Sequence, residues 1–532
     1  MNNNKIPLTI GVTGHIDLRP EDSEKLRDSV KQKLTNLRNR CPHTPFIMLC
    51  SLAGGADLLC AEAAEELEIP LRAVLPAEPA EYEKDFLPED LARLNRQTAR
   101  AETVFTAPAA EEEPEEKSRD FRYRQAGIYI AEHSHILLAL WDGKRENQSR
   151  CGTAAAVSAA LDGDWQPLRG MACRNAENTA VLHIVTPREG QNGEEAGTAA
   201  LLGNREAFEE ILSRTEEFNR LAETDDGAGY SLLPEDRTEE PELQRLEILY
   251  RTADNLSMRF GRLYRKKMRM LALLGTVVTF AFLLYDEAEL LPMILVCAAA
   301  VVMAILVAGN ARRFATHRRY IEYRTFAETL RVQMFLRYAG SMAETQRLIS
   351  WTQQREIPWI LCAMCAVNAE KPPEKKRDIR KCWAEDQRLY HEKAAKKTAG
   401  QRGRNSRLLK TAVVCAVCLY FGGLLFELLS GGMFFRPVLA VQNPAAWRTA
   451  LKILLGTVSA GTLFLAGYYG KMSLERKNAD HGKMQAFYRK MEEELERRGQ
   501  TEELMETLAR EELTENGNWC SYQRDNAPEL NL

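Results

Sequence analysis

Two pairs of long apolar runs dominate the pattern of hydrophobic and polar positions along this chain. The first pair covers Met268–Tyr285 and Leu290–Ala308, and the second covers Leu408–Leu429 and Ala450–Tyr469. Each run has about 17 to 22 mostly apolar residues, enough for a helix to cross a hydrocarbon core of roughly 30 Å. The run Leu290–Ala308 has no charged or amide residue on any face, whereas a core helix of a soluble protein normally keeps a polar face. The pattern therefore predicts four membrane spans in two hairpins.

Basic residues collect at the outer flanks of both pairs of runs. They are Arg259, Arg262, Arg265, Lys266, Lys267, Arg269, Arg312, Arg313, Arg318, Arg319, Arg402, Arg404, Arg407, Lys410, Lys471, Arg476 and Lys477. The loop Asp286–Glu289 within the first pair has no basic residue, and the loop within the second pair holds Arg436 and Arg448. Because lysine and arginine mark the side of a membrane that is not translocated, we expect a multi-pass protein of the bacterial inner (cytoplasmic) membrane with both termini in the cytoplasm.

Glu427 is the most notable ionisable residue within the apolar runs. It lies in the third run, near the predicted outer end. Ionisable residues inside membrane spans usually face a bundle interior or water, which makes Glu427 a candidate pore-lining residue. Its place near the end of the run leaves a second interpretation open, in which the carboxylate reaches the membrane interface.

Length, charge and cysteine content narrow the functional classes. With 532 residues the chain is too long for one compact domain, so two or three units are expected. Its net charge of −4 gives no indication of nucleic-acid binding, and no direct DNA partner is expected. The CxxC pairs Cys362–Cys365 and Cys415–Cys418 lack a second ligand pair, so no metal site is expected. No signal peptide is expected, because no apolar run precedes the first predicted strand.

The first part of the chain alternates short apolar runs with amphipathic stretches. The apolar runs predict strands at Leu8–Thr13, Phe46–Leu49, Leu71–Leu75, Thr103–Phe105, His135–Leu140 and Val181–Val185. The stretches between them predict helices at Glu21–Arg38, Asp57–Glu68, Glu89–Ala101, Arg119–His133 and Thr153–Leu161. Short apolar strands are typical of a parallel sheet that is buried on both faces. The alternation therefore predicts a Rossmann-like, doubly wound α/β domain followed by an all-α membrane domain, with ligands at the carboxyl ends of the strands.

Residues suited to bind a nucleotide follow several of these strands. Glycine lets a backbone approach a phosphate closely, and a helix N-terminus adds free N–H groups and a positive dipole end. Serine and threonine hydroxyls can donate hydrogen bonds, and aspartates can accept from a ribose or cap a helix or turn. His15 could bind a ligand or serve as a turn or cap residue. Trp141 could stack on a base or close the edge of the core. The candidate ligand-binding residues are Gly11, Thr13, Gly14, His15, Ser51, Gly54, Gly55, Asp57, Trp141, Asp142, Gly143, Gly152 and Thr153.

Four strings in this region resemble motifs of the SLOG superfamily of Rossmann-like nucleotide-binding domains. They are Ile10-Gly-Val-Thr-Gly-His15, Ser51-Leu-Ala-Gly-Gly-Ala-Asp57-Leu-Leu-Cys-Ala-Glu62, Leu138-Ala-Leu-Trp-Asp-Gly143 and Cys151-Gly-Thr153. The resemblance covers residues 5–190 and implies a pocket for a nucleotide-derived signal. The enzymatic LOG branch carries a Gly-Gly-x-Gly-Thr-x-x-Glu motif, whose glutamate position is Ala156 here. This departure argues against hydrolysis, so no catalytic residue and no required cofactor are expected.

The membrane half contains a repeat of a basic helix, a two-span hairpin and a basic amphipathic helix. Tyr320–Arg331 follows the first hairpin, and His481–Arg489 follows the second. These segments resemble SLATT domains, two-span effector modules that occur with SLOG sensors in prokaryotic conflict systems and are thought to form pores or disrupt membranes. The predicted domains are 1–190 (SLOG-like), 191–241 (a polar linker with a helix at Arg205–Glu223), 242–345 and 346–500 (SLATT-like modules) and 501–532 (a cytoplasmic tail).

Three functions fit these observations. In the first, the head senses a cyclic nucleotide or an ADP-ribose derivative and triggers oligomerisation, pore formation or membrane disruption in antiphage defence. In the second, the chain is a membrane-tethered nucleotide or nucleoside-phosphate hydrolase, for which His15, Asp57 and Glu62 are the candidate acids and bases. In the third, it is a non-catalytic membrane scaffold. The first is favoured, and it implies a nucleotide second messenger, the lipid bilayer and further copies of the chain as partners.

Overall fold

The computed structural model of the chain describes residues 4–108, 119–144, 152–162, 180–190, 195–225, 227–229, 231–234, 240–371, 373, 375–430, 442–472 and 474–525. The chain divides into two compact units. The head unit comprises Met1–Leu256, Thr325–Ile379 and Gln500–Gly517. The span unit comprises Ser257–Arg324, Arg380–Gly499 and Asn518–Leu532. Each unit therefore contains residues from distant parts of the chain.

A seven-stranded sheet with the order β4-β3-β2-β1-β5-β6-β7 lies in the head unit. The strands are β1 (Leu8–Gly14), β2 (Phe46–Cys50), β3 (Leu71–Leu75), β4 (Thr103–Thr106), β5 (Ile136–Trp141), β6 (Ala180–Val185) and β7 (Ala199–Gly203). All neighbours pair in parallel except β6 and β7, which are antiparallel. The six predicted strands are confirmed. The sequence analysis missed β7, a half-exposed edge strand within a polar stretch.

Helices cover both faces of this sheet, which confirms the prediction of an α/β domain. They are α1 (Ser23–Arg40), α2 (Ala56–Glu66), α3 (Pro79–Tyr82), α4 (Pro88–Arg100), α5 (Arg119–Glu132), α6 (Thr153–Asp162) and α7 (Arg205–Ala222). Alternate side chains of β1, such as Leu8 and Ile10, share a core with α1, α2 and α4. Ile47 of β2 and Leu137 of β5 share the opposite core with α5 and α6. Because both faces are buried, these strands can be apolar throughout.

The remaining long elements of the described residues are helices. The helices that follow α7 are α8 (Pro241–Glu287), α9 (Met293–Arg313), α10 (Thr316–Ala339), α11 (Thr345–Leu348), α12 (Trp351–Glu356), α13 (Pro358–Asn368), α14 (Asp386–Ser430), α15 (Pro444–Met472), α16 (Leu474–Arg498) and α17 (Glu502–Asp525). Within the head unit, rings from three helices pack together. The ring of Phe326 on α10 lies 5.4 Å from that of Phe218 on α7 and 5.6 Å from that of Trp359 on α13. These contacts give the helical segment Thr325–Ile379 a shared core with the head.

Four helices of the described chain are long and apolar enough to cross a membrane. They contain α8, α9, α14 and α15, and their most apolar windows have mean hydropathies of 1.8, 2.5, 2.2 and 1.6. Large apolar side chains on them are exposed, including Leu295 on α9 and Leu463 on α15, which are 72% and 74% exposed. Apolar surface on this scale is unfavourable in water and favourable in hydrocarbon. Three of the predicted apolar runs lie wholly within these helices, and the run Leu290–Ala308 enters its helix at Met293, which agrees with a membrane-embedded protein.

Helices α8 and α15 make a close antiparallel contact in the span unit. A Cβ atom at Gly275 would lie 2.5 Å from the ring of Phe464, and one at Gly456 would lie 2.6 Å from Leu283 Cδ1. Small residues at such positions let two membrane helices approach closely. We call this contact the α8–α15 seam. It comprises the pairs Gly275–Phe464, Leu283–Gly456 and Glu287–Lys452, the last joined by an ion pair of 2.9 Å.

The seam predicts that a larger side chain at Gly275 destabilises the span unit. In Gly275→Leu the new side chain meets the Phe464 ring, and overpacking of this kind costs about 1–3 kcal/mol. Gly422→Leu on α14 is the matched control, because a Cβ atom at Gly422 has nothing within 4 Å. Thermal unfolding in detergent should show a lower midpoint for Gly275→Leu and an unchanged or higher one for Gly422→Leu. Equal midpoints would show that the seam does not form.

Candidate functional site

The candidate site lies where the order of strands reverses. After β1 the chain adds β2, β3 and β4 on one side, and it then adds β5 on the other side of β1. At such a switch point the following loops turn towards opposite faces of the sheet and leave a crevice, in which ligands bind. Gly14 of β1 is in register with Leu140 of β5 at this edge. The loops that carry most of the predicted site residues are thus brought together.

His15 joins the loops after β1 and β5. Its backbone N–H donates to the carbonyl of Leu140 at 3.1 Å, and the backbone N–H of Asp142 donates to His15 Nε2 at 3.1 Å. An Nε2 atom that accepts a hydrogen bond belongs to a neutral ring whose proton is on Nδ1. Burial lowers the pKa of His15, which favours the same neutral form at pH 7. His15 therefore orients the loop at Asp142.

Two glycines allow the loop after β1 to contact the start of α2. The backbone N–H of Ala56 donates to the carbonyl of His15 at 3.0 Å. Gly55 has a φ of +70°, and a Cβ atom there would lie 2.6 Å from that same carbonyl oxygen. A Cβ atom at Gly14 would lie 3.0 Å from the carbonyl oxygen of Leu140 and still closer to the Cβ of Ala56. Gly14 and Gly55 thus serve contact between two loops.

Asp57 closes the loop that leads from β2 into α2. Its Oδ2 accepts hydrogen bonds from the Ser51 hydroxyl at 2.8 Å and from the Ala53 N–H at 3.3 Å. The side chain is buried, and this burial raises the pKa of Asp57 to about 6 even though both hydrogen bonds favour the ionised form. The structure thus uses Ser51 and Asp57 to hold the loop shape, with a carboxylate whose charge is unfavourable at neutral pH.

The crevice presents its open polar groups beside α6. Thr13 is half-buried, and its hydroxyl makes no hydrogen bond within the described part of the chain. Gly152 directly precedes α6, which begins at Thr153 and lies against β1 and β5. The first N–H groups of a helix have no acceptor within the helix, and they carry its positive dipole end. Gly143, with a φ of +80°, turns the chain directly after β5. Thr13, Gly143 and the first turn of α6 are therefore the groups at or after the ends of β1 and β5 whose chemistry suits an anion.

Two of the predicted site residues lie in the core of the head unit. Trp141 is 3% exposed, and its ring lies 5.5 Å from the ring of His183. Gly11 lies mid-strand, where a Cβ atom would be 2.9 Å from a side-chain carbon of Ile130 on α5. The structure therefore places Trp141 and Gly11 where they pack the sheet against its neighbours. A base could stack on Trp141 only after the indole left the core.

Sequence reasoning missed an apolar residue at the rim of the crevice. Ile16 directly follows His15 and is 64% exposed, which is unusual for so large an apolar side chain. A Cβ atom at Gly54 would lie 3.4 Å from Ile16 Cγ2 and 3.3 Å from Asp90 Oδ2. The position of Ile16 immediately after a Gly-His turn could have indicated that this side chain faces a ligand. Ile16 provides an apolar surface of the kind that the flat face of a base can cover.

Glu62, a candidate acid or base, lies between two arginines. Arg27 Nη2 is 2.8 Å from Glu62 Oε2, and Arg93 Nε is 2.7 Å from Glu62 Oε1. Charge-assisted hydrogen bonds from two guanidinium groups occupy the lone pairs of this carboxylate. Within the described residues, Glu62 therefore joins α1, α2 and α4.

Two ion pairs lie at the loop-side ends of the apolar helices. The Arg448 guanidinium binds both carboxylate oxygens of Glu427, at 2.6 and 2.8 Å. The second pair is Glu287–Lys452 of the seam. This position fits the interpretation in which the Glu427 carboxylate reaches the membrane interface. A pore-lining role for Glu427 stays a prediction.

Comparison with known proteins leaves the family of the chain open. A scan against protein-family models gives no match, and a search of curated proteins gives none either. The resemblance to SLOG and SLATT domains therefore stays a prediction from the motifs. Among the residues that the structure describes, no group of three or more histidine, cysteine, aspartate or glutamate side chains could hold a metal ion.

The buried carboxylate predicts that Asp57→Asn is more stable than the wild type above pH 6. Because the pKa of Asp57 rises from 3.8 to about 6 on folding, the folded protein binds the proton more tightly, and stability falls as pH rises through this range. A difference of this size between the folded and unfolded pKa of Asp57 corresponds to about 3 kcal/mol at neutral pH. Asparagine keeps an acceptor for Ser51 without the charge. The midpoint of thermal unfolding should therefore rise more at pH 8 than at pH 5.

The control for this prediction is Asp57→Ala, which removes both the charge and the acceptor. It should destabilise the protein at both pH values, because the Ser51 hydroxyl and the Ala53 N–H lose their partner. The prediction compares the stability gained by Asp57→Asn over the wild type at two pH values. A gain at pH 8 that is no larger than the gain at pH 5 would show that the buried charge carries no cost.

Proposed function

We propose that the chain is a membrane effector of prokaryotic antiphage defence, in which the head unit binds a nucleotide-derived second messenger and the apolar helices act on the membrane. One observation carries this proposal. A single chain combines a parallel sheet, whose switch point presents open polar groups, with four apolar helices that could span a membrane. Helix α8 begins with Pro241 among head-unit residues and continues without a break to Glu287, just past the end of the first apolar run.

The groups at the crevice favour a ligand that has both a phosphate and a base. The first turn of α6 and the Thr13 hydroxyl would donate to phosphate oxygens. Ile16 would contact the face of a base at the rim. A cyclic nucleotide or an ADP-ribose derivative has both features, and neither needs a metal or a further cofactor to bind there.

The positions of the candidate acids and bases support binding rather than turnover. His15 Nε2 accepts from Asp142, Asp57 Oδ2 accepts from Ser51, and Glu62 is held by two arginines. A general base needs a free lone pair within reach of the substrate. A nucleotide hydrolase and a non-catalytic scaffold are the alternative hypotheses. Conversion of a bound nucleotide to products would favour the hydrolase, and absence of nucleotide binding would favour the scaffold.

Membrane action would follow if the ligand favours one arrangement of the helices. A ligand that moves a two-state equilibrium from 1:99 to 99:1 must bind the favoured state roughly 5.5 kcal/mol more tightly. In a homo-oligomer, several bound heads would each contribute part of this difference in binding free energy. We therefore propose that ligand binding promotes self-association at the bacterial inner membrane, with both termini in the cytoplasm as the basic flanks indicate.

Release of a trapped dye from liposomes tests this proposal. The full-length protein would be reconstituted, and ADP-ribose, cyclic di-AMP and cyclic di-GMP would be added in turn after calorimetric measurement of binding. At least one of these nucleotides should bind and release dye. Binding of any of them without release would contradict the membrane output, and conversion of the nucleotide to products would favour the hydrolase.

The crevice predicts that Thr13→Val raises the nucleotide concentration needed for half-maximal release about tenfold, because it removes one hydrogen bond to a charged phosphate. Valine has nearly the same shape as threonine, so the sheet should be preserved. Thr35→Val, at an exposed position of α1, is the matched control and should leave the response unchanged. An unchanged response in Thr13→Val would place the ligand elsewhere.

A further inference from the structure

A half-buried histidine of β6 lies next to the loop that follows β5. His183 Nε2 is 2.9 Å from the backbone carbonyl oxygen of Trp141, and the rings of these two residues are 5.5 Å apart. Because a carbonyl can only accept a hydrogen bond, Nε2 carries a proton and donates it. In the neutral ring, Nδ1 then holds the lone pair and can accept a hydrogen bond. The contact with Trp141 therefore fixes both the orientation of the ring and its tautomer.

The accepting atom of His183 is left open by its neighbours. Within the described part of the chain, Nδ1 makes no hydrogen bond. A Cβ atom at Gly143 would lie 3.7 Å from His183 Cε1, the ring carbon that is bonded to both nitrogens. The residues in register with His183 on the two neighbouring strands are Ala139 and Ala200, whose side chains are single methyl groups. Glycine and alanine thus leave room for a ligand atom beside Nδ1.

His183 and Thr13 belong to one row of residues across the sheet. The register of β1, β5 and β6 aligns Thr13 with Ala139, and Ala139 with His183. Residues in register on neighbouring strands point to the same face of the sheet, and Ala139 shares its core with α6. Since neighbouring strands are about 4.8 Å apart, Thr13 and His183 are about 10 Å apart along this row. Only the methyl group of Ala139 lies between them in the row, so one ligand could contact both side chains.

The order of the strands sets the order of contacts along a ligand. Ile16 follows β1 and lies beside Gly54, in the loop after β2. His183 belongs to β6, which is two strands away from β1 on the other side. A nucleotide whose base covers Ile16 and whose phosphate meets Thr13 would therefore reach His183 only with a group that continues past the phosphate. ADP-ribose and cyclic di-AMP have such a group, a second ribose, whereas ADP and AMP end at the phosphate.

We propose that His183 is a specificity residue of the nucleotide site, and that its Nδ1 accepts a hydrogen bond from a hydroxyl of a second ribose beyond the phosphate. The inference rests on the proposed nucleotide site of the head, and it does not depend on what the apolar helices do. A ribose hydroxyl supplies the donor that Nδ1 needs, whereas an ionised phosphate has only acceptors. The site would thus favour messengers that contain two riboses over mononucleotides.

Calorimetric binding to the full-length protein in detergent tests this role with two pairs of ligands. The pairs are ADP-ribose with ADP, and cyclic di-AMP with AMP. His183→Gln keeps a donor for the Trp141 carbonyl, because the glutamine amide nitrogen reaches the position of Nε2, but it removes Nδ1. It should weaken the binding of ADP-ribose or cyclic di-AMP about tenfold, the effect of one lost hydrogen bond, and leave ADP and AMP unchanged. The pair that responds identifies the messenger.

Two further variants separate the roles of the side chains. His183→Asn should keep most of the preference for a second ribose, because its amide oxygen can take the place of Nδ1. Thr13→Val should weaken all four ligands, since each of them has a phosphate. His43→Gln is the matched control, because His43 precedes β2 at the amino ends of the strands, and it should change no affinity.

Equal losses for all four ligands in His183→Gln, or no loss for any of them, would overturn the specificity role and leave the proposed function intact. A wild-type protein that binds neither ADP-ribose nor cyclic di-AMP would contradict both this role and the nucleotide site. Selective loss in His183→Gln without nucleotide-triggered dye release would support the role of His183 and contradict only the membrane output.

Discussion

Exposed apolar surface on four long helices is the constraint on which the rest of the structure depends. Side chains such as Leu295 and Leu463 are mostly exposed, and each costs free energy in water. Hydrocarbon removes that cost but provides no hydrogen-bond partners, so the spanning segments must be helices with satisfied backbones. Contacts between the helices must then come from close packing, which the glycines of the α8–α15 seam allow. Charges belong at the ends, where Glu427–Arg448 and Glu287–Lys452 are paired.

The head unit follows a different constraint, since its sheet must exclude water from both faces. Its loops meet at the switch point through Gly14 and Gly55, and His15 and Asp57 fix their shape. The carboxylate of Asp57 is buried although its charge is unfavourable there. Proteins often keep such a group where the shape of a site matters more than stability. This supports a binding role for the crevice, with its open groups at Thr13 and α6.

The sequence could predict the elements because each had a strong local pattern. Buried parallel strands appear as short apolar runs, and the membrane runs stay mostly apolar over about 18 residues or more. The sequence pattern did not predict strand β7, because it is a half-exposed edge strand. The predicted domain bounds follow chain order, whereas the compact head takes in Thr325–Ile379, because Phe326 and Trp359 pack with Phe218. Such contacts between distant residues leave no local pattern.

The sequence could predict where the candidate site lies better than it could predict what each residue does there. Because the carboxyl ends of parallel strands lie at one edge of the sheet, the sequence could predict that the glycine-rich loops lie near one another. A glycine that approaches a phosphate and one that approaches another loop look the same in sequence, because both positions exclude a Cβ atom. The arginines around Glu62 come from α1 and α4, which only the fold brings near. The burial of Trp141 likewise depends on the packing of α6 and β6.

The central claim is that occupancy of the head changes the arrangement of the apolar helices. Pulsed electron paramagnetic resonance measures this directly, with spin labels on unnatural residues placed at the exposed positions 295 and 463 of the protein in lipid nanodiscs. The account predicts that a nucleotide that binds the head shifts the distance distribution in the wild type. A nucleotide concentration that half-saturates the wild type should leave the distribution of a Thr13→Val protein largely unshifted. An unchanged distribution in a wild-type protein that is saturated with nucleotide would contradict the account.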